Sequence, residues 1–318
     1  MRAVFLDAAT LRMQDLDSSK LEAACTELHQ YESSGKSELE ERLKHAEIAI
    51  SNKVRLDAET MKAAKHLKLI CVAATGTNNV DLAAAKELGI TVCNAQGYST
   101  ESVAQHTFTL MLMLATQLHR YVNDVKQGMW HKSEMFCRLD YPIVELHGKT
   151  LGIIGYGTIG KRVAEIGKAF GMNILVGRIP GREANDEHIE LKAFLPQCDV
   201  ISIHCPLSDL SRNLINDQKL NLMKKSAWLI NVARGGIINE QHLHTALMQH
   251  KIAGAALDVL SEEPPGDEHP LLRTELPNLL ISPHNAWASQ TARQTLLDQI
   301  AENIRDFSKG TPRRVVSG

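Results

Sequence analysis

The chain has 318 residues, with 35 Lys and Arg against 37 Asp and Glu, a formal net charge of −2. That length fits two ordinary domains with sizeable cores, and the balanced charge excludes nucleic-acid or anionic-membrane binding driven by bulk charge. An apolar share of 44% and a charged share of 23% exclude disordered and fibrous classes. The most apolar run, Phe108 to Ala115, is far shorter than the roughly 20 residues of a membrane span.

The opening MRAVFLDAAT reaches an acid at Asp7 and carries no basic stretch followed by an apolar one. No secretory leader is expected, and a cytoplasmic protein is the default. AVFLD (3–7) reads as a strand, and SSKLEAACTELHQYE (18–32) as a helix capped by Ser18 or Ser19. EIAISN (47–52), LKLICVAAT (67–75) and ITVCNA (90–95) read as further strands, with the helix NVDLAAAKELG ended by Gly89 between the last two. Strands alternating with helices at this spacing imply parallel βαβ units. Residues 99–128 then read as one long helix from the Ser99 region to Gly128, crossing from one domain to the other.

A second alternation begins at KTLGIIGYG (149–157) and continues through MNILVG, DVISIHC, AWLINVA, IAGAALDV and LLISPH. That is about six strands, the count of a doubly wound dinucleotide fold. A last helix, 288–310, has no strand of its own and is expected to return to the first domain. The predicted class is α/β: two Rossmann-like doubly wound parallel-sheet domains with an active-site cleft between them. Residues 1–99 and 287–318 form a discontinuous substrate domain, and 100–286 the dinucleotide-binding domain. The chain stops soon after that helix, so no appended regulatory domain is expected. The cysteines at 25, 71, 93, 137, 198 and 205 form no C-x-x-C pair. They read as reduced thiols, four of them buried, and no metal site is expected.

Gly155-Tyr156-Gly157-Thr158-Ile159-Gly160 matches G-x-G-x-x-G after an apolar strand and at the start of a helix, the context that motif requires. Gly155 allows the tight turn, Gly157 the approach of a pyrophosphate, and Gly160 close packing of helix on strand. The next strand ends LVGRIPGRE, with Arg178 where an acid usually binds the ribose 2′-hydroxyl. A guanidinium there pairs with a 2′-phosphate, so NADP(H) is favoured and NAD(H) remains possible. Arg182, past the Pro180-Gly181 turn, is a second candidate for the same phosphate. The first acid, Glu183, comes only after that turn.

Polar residues stand where three later apolar runs end: Arg234 in NVARGG, Glu263 in SEEPP and His284 in SPHNAW. Ligands of open α/β sheets bind outside the carboxyl ends of the strands, so these positions point to one crevice. A cation to clamp a carboxylate and polarise a carbonyl, an imidazole to move a proton, and a carboxylate to stabilise the imidazolium suit reduction of a 2-oxo acid. The pair His242 and His244 is a poor metal site, because residues two apart on a helix do not share a face.

With the glycine motif, NVARGG, LDVLSEEP and SPHNAW in this order, the chain resembles the D-2-hydroxyacid dehydrogenase family over essentially its whole length. FCRLDYPI (136–143) and PHNAWAS look most like the bacterial glycerate dehydrogenases, also called hydroxypyruvate reductases. The resemblance implies that Arg234, Glu263 and His284 are the catalytic residues. It implies that Thr75 and Gly76, with Arg234, hold the substrate carboxylate, and that Asp258 positions the nicotinamide carboxamide. Thr107, Thr158, Ile159, Pro206, Val232 and Ala233 match cofactor-contacting positions. A homodimer built around the crossing-helix region, and a cleft that closes on binding, are further implications. Arg178 departs from the usual Asp; Gln105 and Asn285 also depart from the pattern and receive no functional reading.

The expected function is hydride transfer between NAD(P)H and a small 2-oxo or D-2-hydroxy acid, with hydroxypyruvate and D-glycerate first and glyoxylate also accepted. The alternatives are a dehydrogenase for another D-2-hydroxy acid and a dinucleotide-sensing regulatory protein. Glu263 argues against formate oxidation, for which Gln is expected beside the histidine. A small-molecule substrate is expected, and neither nucleic acid nor membrane.

Overall fold

The computed structural model describes residues 1–181, 188–273 and 275–316. The chain divides into two compact units, Met1–Ser99 with Ala288–Gly318, and Thr100–Trp287.

The first unit carries β1 (Arg2–Phe5), β2 (Glu27–Gln30), β3 (Ile48–Ser51), β4 (Leu69–Val72) and β5 (Thr91–Cys93), all parallel, in the order β2-β1-β3-β4-β5. β3 and β4 are buried along their whole length, as parallel strands covered on both faces require. The predicted helix over 18–32 is corrected here. It runs only over Ser19–Ala24, Cys25 turns extended, and Glu27–Gln30 pairs with β1. ELHQ is mostly exposed and carries no apolar alternation. Its strand conformation comes from the open edge of β1, whose backbone groups it satisfies.

The final helix, Gln290–Ser308, packs on Ser19–Ala24 and on β4. Ser289 caps it by accepting the Ala292 N–H. Arg293, 7% exposed, makes a two-pronged pair with Asp15 at 2.6 and 2.7 Å and donates to the Leu11 and Arg12 carbonyls. The guanidinium is thus fully employed, and its hydrogen bonds hold the Asp15 carboxyl below the usual range.

The second unit carries β6 (Thr150–Ile154), β7 (Asn173–Gly177), β8 (His188–Ile189), β9 (Val200–Ile203), β10 (Trp228–Asn231), β11 (Gly254–Leu257) and β12 (Leu279–Ile281). All are parallel, in the order β12-β11-β10-β9-β6-β7-β8. Counted from β6, this is the 3-2-1-4-5-6 order of a dinucleotide fold with one more strand at its far edge. One sheet face packs Phe194, Ile201, Leu229 and Leu243. The other packs Met111 and Leu114, from the helix Thr100–Thr116, with Ile153 and Val163. The two-residue edge strand β8 is an addition to the sequence reading.

The predicted single helix over 99–128 is also corrected. It breaks at Gln117, whose φ of 51° is left-handed, and resumes over Leu118–Lys126. The Thr116 hydroxyl donates to the Leu112 carbonyl at 2.6 Å and accepts the Leu118 N–H, while the Gln117 amide donates to the Leu114 carbonyl. These side chains satisfy backbone groups that the break frees. None of the six cysteines is in a disulfide, and burial pushes the Cys93 and Cys198 thiols up to about 11 and about 12. Among the described residues, no helix is long and apolar enough to cross a membrane.

Candidate active site

Each sheet has one topological switch point, where the connections from two neighbouring parallel strands run to opposite sides and a crevice opens at the strands' carboxyl ends. In the first unit it lies between β1 and β3, and it is filled from within. Asp7, 3% exposed, accepts the backbone N–H groups of Asn52, Lys53 and Val54. A carboxylate already holds the donors that a ligand anion would need there.

In the second unit the switch point lies between β6 and β9, and glycine shapes it. Gly155 turns the chain at a φ of 102°. A Cβ on Gly160 would stand 2.1 Å from the Gly155 carbonyl oxygen, so only glycine lets the helix Thr158–Ala169 start that close to its strand. A Cβ on Gly157 would meet nothing within 4 Å, which leaves open space over the helix N-terminus. That terminus has no side-chain cap and no acid in its first turn. Donors aimed into open space at a positive helix end suit a pyrophosphate, and the residues present therefore fit a dinucleotide.

The carboxyl ends of β10, β11 and β12 lie side by side, because these strands are neighbours in register. Arg234 follows β10, Glu263 follows β11 and His284 follows β12. His284 Nδ1 is 2.6 Å from Glu263 Oε2, and Glu263 Oε1 accepts the Leu260 N–H at 3.0 Å. The Arg234 turn is closed by buried Asn231, whose side chain accepts the Ala233 N–H and donates to the Arg234 carbonyl. The Arg234 guanidinium donates to the Ala233 carbonyl at 2.6 Å. Gly235 runs against the Leu260–Ser261 backbone. The Arg234 turn and the loop carrying Glu263 thus share a packed boundary.

A second histidine stands at these strand ends, His204 after β9. It is 2.8 Å from the Ser202 hydroxyl, and desolvation pushes its imidazole down to about 3. It stays neutral at ordinary pH and cannot cycle a proton. His284, with a carboxylate on one nitrogen, is the imidazole equipped for that work.

The other sequence-predicted residues fall as follows. Thr75 and Gly76 belong to the first unit, after β4, and the Asn94 side chain donates to the Thr75 carbonyl at 2.8 Å. Thr107 has no exposed surface, and its hydroxyl donates to the Val103 carbonyl. Val232 is buried after β10, and the Pro206 carbonyl accepts the Ser211 hydroxyl. Arg178 follows β7, its guanidinium 2.7 Å from Glu190 Oε1, with about a third of its side chain exposed. Arg182 and Glu183 lie outside the described residues. Sequence reading missed Glu190 as the partner of Arg178, and Asn231 as the residue that shapes the Arg234 turn. Asn231 opens the NVARGG motif, which drew attention only to its arginine, and no motif signal marks Glu190.

The model for the NAD binding domain of the D-isomer specific 2-hydroxyacid dehydrogenases matches residues 108–286. A glycerate dehydrogenase of Methylorubrum extorquens is 44% identical over 314 residues, 96% of this chain and 99% of that protein. A hydroxypyruvate reductase of Blautia hydrogenotrophica is 37% identical over 324 residues, all of both chains. The solved structure of an acyclic imino acid reductase in complex with NADPH and D-Arg superposes with a TM-score of 0.87 at 27% identity, covering 99% of this chain and 100% of that one. The chain belongs to the D-isomer specific 2-hydroxyacid dehydrogenases. It is an oxidoreductase that transfers hydride between a nicotinamide dinucleotide and a 2-hydroxy acid or its 2-oxo counterpart.

Proposed function

We propose that the enzyme reduces hydroxypyruvate to D-glycerate and also accepts glyoxylate. The observation that carries the chemistry is the 2.6 Å contact between His284 Nδ1 and Glu263 Oε2; the substrate comes from the likeness to a glycerate dehydrogenase and a hydroxypyruvate reductase. A bound dinucleotide supplies hydride to the carbonyl carbon. Glu263 holds Nδ1–H, so Nε2 is the nitrogen that meets substrate. As an imidazolium, His284 donates its Nε2 proton to the carbonyl oxygen; in the reverse direction Nε2 takes the hydroxyl proton. Arg234 binds the carboxylate and polarises the carbonyl. Initial rates over a panel of 2-oxo acids test the assignment. Hydroxypyruvate is expected to have the highest kcat/KM, and a higher value for a bulky aromatic 2-oxo acid would overturn it.

NADPH is the favoured cofactor in the same proposal, by about ten-fold, which corresponds to roughly 1.4 kcal/mol. The support is Arg178 directly after β7, where a 2′-phosphate gains charge-assisted hydrogen bonds. Glu190, 2.7 Å away, competes for the guanidinium and limits the preference. Arg178→Asp is expected to reverse the NADPH to NADH ratio of kcat/KM, and Glu190→Gln to raise it. Ratios unchanged in both variants would make Arg178 a surface residue without a role in selection.

The proposal includes a homodimer. Between residues 118 and 143, Leu118, Met135, Phe136, Leu139 and Ile143 are 58%, 63%, 89%, 75% and 57% exposed. The segment is nonetheless built: Tyr141 donates to Asp124, Arg138 pairs with Asp140 and Asp124, and Arg120 lies over the Tyr141 ring. A held array of large apolar side chains in water marks an association surface. The double variant Phe136→Asp with Leu139→Asp is expected to sediment as a monomer where the wild type sediments as a dimer. Identical sedimentation of the two would remove this surface from the interface.

A further inference from the structure

The loop that carries His284 is wound around one buried carboxylate. Asp258, 1% exposed, follows β11. Its Oδ1 accepts the Ser282 hydroxyl at 2.6 Å and the Asn285 N–H at 3.0 Å, and its Oδ2 accepts the Ala286 N–H at 2.9 Å. His284 sits between these anchor points with a φ of 50°. A residue with a Cβ keeps that left-handed backbone only where its surroundings impose it.

One further side chain reaches this array from the helix Thr100–Thr116. His106 Nε2 is 2.9 Å from Ser282 Oγ and 3.5 Å from Asp258 Oδ1. Counting protons fixes the direction of each bond. A serine hydroxyl has one proton, and the carboxylate at 2.6 Å accepts it. Ser282 Oγ is therefore the acceptor toward His106, whose Nε2 carries a proton. The imidazole closes a chain that runs from His106 through Ser282 to Asp258, and from there to the backbone on both sides of His284.

We propose that His106 is a positioning residue for proton transfer. By donating to Ser282 it keeps that hydroxyl turned to Asp258, which holds the strained turn that aims His284 Nε2 at the substrate. Without this donor the Ser282 hydroxyl can rotate, Asp258 Oδ1 loses its shortest partner, and the turn relaxes. The inference rests on the reading of His284 as the proton donor. The network spans helix, strand end and loop within the second unit, and each of its bonds is part-buried or buried.

The test compares His106→Leu, His106→Gln and Ser282→Ala in the full-length enzyme. His106→Leu is expected to lower kcat for hydroxypyruvate reduction about ten- to hundred-fold, the scale of a small misplacement of a reacting group. KM should change little. His106→Gln offers an amide N–H near the same place and is expected to restore most of the rate. Ser282→Ala should match His106→Leu, and the double variant should be no slower than either alone, because both break one chain. The dyad is also read without turnover, from the Nδ1 proton of His284 in histidine-labelled NMR spectra. That resonance should persist in His106→Gln and broaden or move in His106→Leu. A His106→Leu enzyme with wild-type kcat, a loss that His106→Gln does not relieve, or an unmoved dyad resonance overturns the inference. A wild-type enzyme inert toward every 2-oxo acid overturns the functional reading alone, since the dyad resonance still tests the loop.

Discussion

His284→Ala is expected to lower kcat by about 10²–10⁴-fold, the usual contribution of a positioned general acid, with KM for the 2-oxo acid within a few-fold of wild type. The reason is that the imidazole meets the carbonyl oxygen where charge develops, while the substrate carboxylate is bound elsewhere. Arg234→Ala should behave differently, raising KM and lowering kcat together. A guanidinium that binds the ground-state carboxylate and also polarises the carbonyl contributes to both. Steady-state kinetics on the two variants separate the roles. Equal KM increases in both would place His284 in substrate binding rather than proton transfer. His204→Asn provides the internal control, because an imidazole pushed down to about 3 does not form the imidazolium that a general acid needs at ordinary pH.

Gly235→Ala is expected to be the most damaging small substitution near the site. An added Cβ would stand 1.8 Å from the Leu260 carbonyl oxygen and 2.0 Å from its carbon. Both are backbone atoms, so no side-chain rotation relieves the overlap, and one of the two loops must move. Forcing a methyl group into such a boundary costs about 1–3 kcal/mol. The displacement also reaches chemistry. Arg234 lies on one side of the boundary, and on the other the Leu260 N–H holds Glu263 Oε1. Thermal unfolding should therefore show a lower Tm, and kcat/KM should fall by more than the unfolded fraction explains. By contrast, Gly157→Ala has space for its Cβ and should leave Tm near wild type while weakening dinucleotide binding. A Gly235→Ala protein with wild-type Tm and kinetics would mean that the loops separate at no cost.

Much of the architecture is legible in short stretches of the chain. The apolar runs at 3–7, 47–52, 67–75 and 90–95 become β1, β3, β4 and β5, because a short, mostly buried strand carries its own apolar and β-branched signal. The glycine motif is equally local, since the turn, the helix start and the close strand contact all fall within six residues. The residues Arg234, Glu263 and His284 could be chosen from fourteen histidines and many charges only because each follows an apolar run, where parallel strands end.

The sequence by itself determined the succession of strands and helices, the glycine turn and the order of its motifs. Each is encoded in periodicity or turn chemistry spanning a few residues. The tertiary structure alone decided the rest. ELHQ became a strand because β1 had an open edge, and the helix after Thr100 broke at Gln117 with neither Gly nor Pro there. Asp7 filled one switch point while Gly157 left the other open. Asp258 gathered Ser282, Asn285 and Ala286 around one carboxylate, and Arg178 acquired Glu190. In the last three cases the partners lie between 12 and 47 residues apart in the chain. A buried or half-buried polar group takes whichever partner the folded chain brings within hydrogen-bond distance, and no local pattern records that choice.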